Sequence, residues 1–180
     1  MIKIVSVFGA GRAGVGDKNY VVAEQLGRAL AEAGFTIANG GYGGTMEASA
    51  RGAKEAGGEV IGVTCSAFKR GRANKFISRE IVTKSLDERL EKLIGIGNAC
   101  VVLPGGTGTL LELAMVWELK NKGFLSEAKP IILLGEYWSR LVELMATDDA
   151  DSRRHLLFAD EPKNVIKILK TCSRVSKDLK

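Results

Sequence analysis

Residues 103–112, Leu103-Pro104-Gly105-Gly106-Thr107-Gly108-Thr109-Leu110-Leu111-Glu112, constrain the fold more than any other stretch. The apolar run at 99–103 reads as a buried strand, and an apolar-periodic helix follows from about 107 to 122. Gly105, Gly106 and Gly108 let the turn between them fold tightly and approach a ligand closely, because no Cβ stands in the way. The helix that opens from the turn presents free N–H groups and the positive end of its dipole, an arrangement that favours phosphate. The dipole alone contributes only ~0.3–2 kcal/mol, so useful affinity needs several N–H contacts and a ligand with more to grip than phosphate. A nucleotide-like ligand meets that requirement. Gly105, Gly106, Thr107, Gly108 and Thr109 are therefore candidate binding residues.

Glu112 lies one turn into the helix, within reach of the sugar of a nucleotide whose phosphate rests on the loop. Thr109-x-x-Glu112 is also a capping box, in which the carboxylate only ties down the helix start. On local pattern alone, capping outweighs chemistry.

Two more glycine-rich turns follow apolar strands. Residues 2–8 run into Gly9-Ala10-Gly11-Arg12-Ala13-Gly14, a literal G-x-G-x-x-G. Dinucleotide binding also needs a helix opening on the third glycine and an acid about twenty residues later. Here Gly16 and Asp17 add further turn chemistry before a helix at about 19–33, and the strand at 35–39 ends in Asn39. This loop, with Gly9, therefore reads as the lip of a pocket, and hydride transfer ranks low. The strand at 35–39 passes through Gly40, Gly41, Tyr42, Gly43 and Gly44 into a helix ending near Ala56. Four glycines in five positions exceed what a tight βα connection needs, which points to ligand contact. Glu47, in the first turn, complements the helix dipole.

Further strands are expected at 59–64, 80–83, 129–134 and 156–158, and helices at 85–95, 138–145 and from Asp160-x-Pro162 onward. Residues 65–78 read as a long, polar, basic loop, a type that often forms lids or binding segments. Arg89 reads locally as a solvated arginine or as a partner of Asp87 or Glu112. Alternating strands and helices with glycine turns at the strand ends describe a Rossmann-like α/β fold. Its sheet is doubly wound and mainly parallel, with helices on both faces, and residues 1–180 form a single nucleotide-binding domain.

Composition narrows the function classes. No apolar run reaches membrane-spanning length, and the start does not read as a signal peptide. Cys65, Cys100 and Cys172 are odd in number and far apart, so reduced thiols and a cytoplasmic location are expected. His155 is the only histidine, and no zinc spacing or metal site is read. The net charge of +5 divides between two clusters. Lys69, Arg70, Arg72, Lys75 and Arg79 lie in and beside the basic loop, where they could help hold a polyanionic small ligand. Lys163, Lys167, Lys170, Arg174 and Lys177 line the wet face of a terminal helix whose Val165, Ile168, Leu169, Cys172 and Val175 face the core. Neither cluster belongs to a nucleic-acid-binding motif, so nucleic acid is not an expected partner.

Pro104 to Glu112 resembles the PGGxGTxxE signature of the LOG family, whose members are often labelled "possible lysine decarboxylase". Arg89 stands fifteen residues before Pro104, as that family's functional arginine does. Residues 40–48 resemble its GGGxxGLMGA segment, and residues 56–63 its AGGxVIGV strand. The resemblance implies a homodimer or higher oligomer with sites near the interface. It also implies hydrolysis of the N-glycosidic bond of a nucleoside 5′-monophosphate, N6-modified AMP in cytokinin-activating members. Arg89 and Glu112 become the catalytic candidates and a phosphorylated small molecule the partner, with no cofactor. No lysine context for pyridoxal phosphate supports the decarboxylase label. Three departures stand out. Leu90 replaces the lysine that usually follows the arginine, Gly9-Ala10-Gly11-Arg12 replaces a CGSS-like loop, and Gly44-Thr45-Met46-Glu47-Ala48 replaces GLMGA. The last form also resembles the related molybdenum cofactor carrier proteins, which bind a phosphorylated pterin without turning it over.

Overall fold

The computed structural model describes residues 2–68 and 72–178. Seven strands are β1 (Ile4–Phe8), β2 (Thr36–Asn39), β3 (Val60–Cys65), β4 (Arg79–Thr83), β5 (Ala99–Val102), β6 (Ile131–Leu134) and β7 (Leu156–Ala159). Six helices are α1 (Lys18–Glu32), α2 (Thr45–Glu55), α3 (Leu86–Ile96), α4 (Thr107–Asn121), α5 (Ser139–Ala146) and α6 (Pro162–Asp178), and a 3₁₀ turn spans Ala150–His155. The strands form one sheet in the order β4-β3-β2-β1-β5-β6-β7, and every pair is parallel. Parallel strands need crossover connections, most of them helical, and those helices cover both faces. The inner strands accordingly read as unbroken apolar runs. All four residues of β5 and of β6 are buried.

The helices divide between the faces. Leu26 and Leu30 of α1, Ala50 and Ala53 of α2, and Val165 and Leu169 of α6 share one apolar cluster. Leu93 of α3, Leu113 and Trp117 of α4, and Val142 of α5 share the other. The direction in which the strand order grows reverses between β1, which leads outward to β2 and β3, and β5, which leads outward to β6 and β7. The register pairs Phe8 with Val102, so the turns leaving β1 and β5 open side by side. Such a switch point, at the carboxyl ends of the strands, is where doubly wound sheets form their crevice.

Element positions follow the sequence expectations within about two residues, and the sheet is parallel throughout rather than mainly so. Lys129, expected to open a strand, instead lies buried ahead of β6 and donates its ammonium to the Ile94 carbonyl at the end of α3. On α6, Val165 and Leu169 are buried and Ile168 and Cys172 partly so, while Lys163, Lys167, Lys170 and Arg174 are exposed. The side chains of Val175 and Lys177 lie outside the described residues, as do Lys69 and Arg70. No helix among the described residues is long and apolar enough to cross a membrane.

Candidate functional site

The residue ahead of α4 at its N-terminus is Gly106, and no side chain caps it. The first intrahelical bond closes from Leu110 N–H to the Gly106 carbonyl at 2.9 Å, leaving the N–H groups of the first turn without intrahelical acceptors. This corrects the capping-box reading. Thr109 is the third helical residue and Glu112 lies a full turn deeper, so neither caps the helix. Thr109 instead folds its side chain over Gly105, in the space a Cβ there would need. Two more bonds brace the turn from behind: Trp138 Nε1 donates to the Leu103 carbonyl and Tyr137 Oη to the Gly105 carbonyl, both at 3.0 Å.

Gly9, Arg12, Met46, Arg89, Thr109 and Glu112, with Gly106, Thr107 and Gly108, line a crevice of about 450 Å³ at this switch point. Glu112 is 9% exposed and Arg89 is 7% exposed. Arg89 Nη1 lies 3.7 Å from Glu112 Oε1. Burial pushes the Glu112 carboxyl up from its ordinary 4.5 to about 7, and the Arg89 charge partly opposes that rise. Half-ionised near neutral pH, the carboxyl can act as a base or as a fixed charge.

Arg89 is not solvated, contrary to one local reading of the sequence. The alternative of a Glu112 partner is what the structure contains. Its Nε donates to the Val63 carbonyl at 2.8 Å, and its guanidinium carbon lies 5.7 Å from the ring centres of both Tyr42 and Phe68. Tyr42 is itself fixed, because its hydroxyl accepts from Cys65 N–H at 2.8 Å. Arg89 on α3 is thus held by β3, by the turn after β2 and by Phe68 of the following loop. The contribution of Phe68 carries no motif and escaped the sequence reading, and Met46, though inside the glycine-rich segment, was not singled out as lining the crevice.

The second glycine turn is used differently along its length. Gly40 lies against the Arg89 guanidinium, and a Cβ there would displace it. Gly41 and Gly44 adopt φ of +75° and +69°, conformations that side chains rarely adopt. Gly44 packs on the backbone of Ala10 and Gly11, and Thr45 N–H donates to the Ala10 carbonyl at 2.8 Å. The start of α2 is therefore partly closed by the first loop, while that of α4 stays open. Of these glycines, Gly43 lines a second cavity of about 740 Å³, where a Cβ would meet only ordinary contacts with Gly11 and Glu47. That cavity shares Gly11 and Arg12 with the crevice and is also lined by Tyr42, Glu47, Arg72, Asn74 and Lys75. Among the described residues no group of three or more His, Cys, Asp or Glu could hold a metal ion.

Known proteins resemble this chain in sequence and in fold. The chain is 32% identical over 145 residues to a cytokinin riboside 5′-monophosphate phosphoribohydrolase of Rhodococcoides fascians, covering 78% of this chain and 72% of that one. Its fold matches a molybdenum cofactor binding protein from the phototrophic bacterium Rippkaea orientalis with TM-score 0.78 and 28% identity, over 95% of this chain and 97% of that one. The molybdenum cofactor carrier protein of Chlamydomonas reinhardtii matches with TM-score 0.77 and 26% identity, over 97% and 99% of the two chains. The pattern that defines the SLOG cluster4 family matches residues 2–166. The LOG-like resemblance read from Pro104 to Glu112 is thereby borne out, and the chain belongs to the SLOG cluster4 family.

Proposed function

We propose that this chain hydrolyses the N-glycosidic bond of a nucleoside 5′-monophosphate, releasing free base and ribose 5-phosphate. The supporting observation is the position of Glu112: a buried carboxylate beside Arg89, in the same crevice as the uncapped start of α4. The 5′-phosphate rests on the N–H groups of Gly106, Thr107, Gly108 and Thr109, which leaves the ribose over Glu112. Breaking the bond between C1′ and the base nitrogen sends its electron pair to the base and builds positive charge on the sugar. A fixed carboxylate stabilises that charge, as in glycoside hydrolysis. Water adds to C1′, and the proton it gives up passes by way of Glu112 to the departing base. Arg89 keeps Glu112 oriented and partly ionised. Relatives named as phosphoribohydrolases support this chemistry. A homo-oligomer belongs to the same proposal, and light scattering at monomer mass would remove that part.

The test is release of free base from AMP and from N6-modified AMP. Glu112→Gln removes the charge and keeps the shape, and kcat should fall over a hundredfold, about 3 kcal/mol, with folding intact. Full turnover in that variant would overturn the role of Glu112.

A second reading is a non-catalytic carrier of a nucleotide or phosphorylated pterin. It draws on the likeness to the Rippkaea orientalis and Chlamydomonas reinhardtii proteins and on Leu90 following Arg89. Tight binding of AMP with no base released favours it.

A further inference from the structure

The cavity beside the crevice is the larger of the two, and the crevice does not need it. Pockets of roughly 300–1,000 Å³ hold whole small molecules, so about 450 Å³ accommodates a nucleoside monophosphate alone. The neighbouring 740 Å³ is walled by three cations, Arg12, Arg72 and Lys75, against one carboxylate, Glu47. All three cations are exposed, and none forms an ion pair with another described residue. The backbone between Arg72 and Lys75 is held in place. Asn74, between Arg72 and Lys75, donates its backbone N–H to the Gly41 carbonyl at 2.8 Å. Its Nδ2 donates to the carbonyls of Gly41 and Tyr42 at 3.1 and 2.9 Å. Arg72 and Lys75 are thereby tied to the same glycine turn that touches Arg89, and Arg12 stands between the two spaces. Cations without a carboxylate partner around a concave wall concentrate polyanions, an effect that salt screens.

We infer that this cavity is a subsite for a second phosphoryl group, so a nucleotide carrying one in addition to the phosphate seated at α4 binds more tightly than the monophosphate. The second phosphoryl is either chained to the first, as in a nucleoside diphosphate, or carried elsewhere on the sugar, as in a 3′,5′-bisphosphate. The inference rests on the proposed seating of the first phosphate at α4, and does not depend on hydrolysis.

Isothermal titration of the wild-type chain and of an Arg72→Gln/Lys75→Gln variant with AMP, ADP and adenosine 3′,5′-bisphosphate, at low and high salt, tests it. The wild type should bind at least one doubly phosphorylated ligand about tenfold more tightly than AMP, about 1.4 kcal/mol, with the gain shrinking at high salt. The variant should lose that gain while its AMP affinity stays within about twofold. A gain for ADP alone identifies the chained source, and a gain for the bisphosphate alone identifies the other. Equal affinities in the wild type, no binding of any of the three, or a gain that survives in the variant overturns the subsite. Base release from AMP is scored separately. Its absence counts against hydrolysis and leaves the affinity comparison standing.

Discussion

Glu112 concentrates what the site can do in one titrating group. Its folded value near 7 lies above the ordinary 4.5, so the folded state holds the proton more tightly than the unfolded chain does. Stability present below about pH 4.5 is therefore lost as pH rises towards 7, by up to about 3 kcal/mol, and stays lost above it. Urea denaturation of wild type and Glu112→Gln at pH 5 and pH 8 isolates this contribution. Between those values the wild type should lose on the order of 2 kcal/mol relative to the variant. A constant difference would mean that the carboxyl ionises as freely as in solvent. If Glu112 is the working base, kcat/KM should also rise with pH through the same region.

At the scale of elements, helix ends were legible in the sequence and helix contacts were not. The sequences Ala33-Gly34-Phe35, Ala56-Gly57-Gly58 and Lys122-Gly123-Phe124 each close a helix by the same pair of bonds, such as Gly34 N–H to the Ala31 carbonyl and Phe35 N–H to the Leu30 carbonyl. Those bonds join neighbours in the chain, so local chemistry specifies them. The contact between α1 and α2 is different. Gly27 faces the Ser49 carbonyl and Gly52 the Glu24 carbonyl, so the two backbones touch where a side chain would stand. Gly52→Ala should destabilise by about 1–3 kcal/mol despite alanine's better helix propensity, because backbone must move to admit the methyl group. Gly95→Ala, in α3 with open space around its Cβ, should stabilise by up to ~1 kcal/mol. Chemical denaturation of the pair separates the two effects, and equal shifts would contradict this packing.

Over the whole molecule, the strand order brings distant turns to one crevice. A ligand seated there binds only the folded chain. AMP at about 100 times its Kd should therefore add about 2.7 kcal/mol, roughly 5–10 °C in Tm for a chain of this size. A thermal scan in which AMP does no more than inorganic phosphate would leave the α4 turn as an anion site without a nucleotide. The sequence by itself determined the alternation of strands and helices, the glycine turns at strand ends, the glycine-closed ends of α1, α2 and α4 and the wet face of α6, because each depends on residues within a few positions of one another. Only the tertiary structure decided that Arg89 abandons solvent for Glu112, Val63 and two aromatic rings. It also decided that Gly44 serves packing against the first loop, and that Arg72 and Lys75 overlook a cavity beside the crevice. Those facts depend on which strand ends stand side by side. That is set by sheet order and register, which no short stretch of sequence contains.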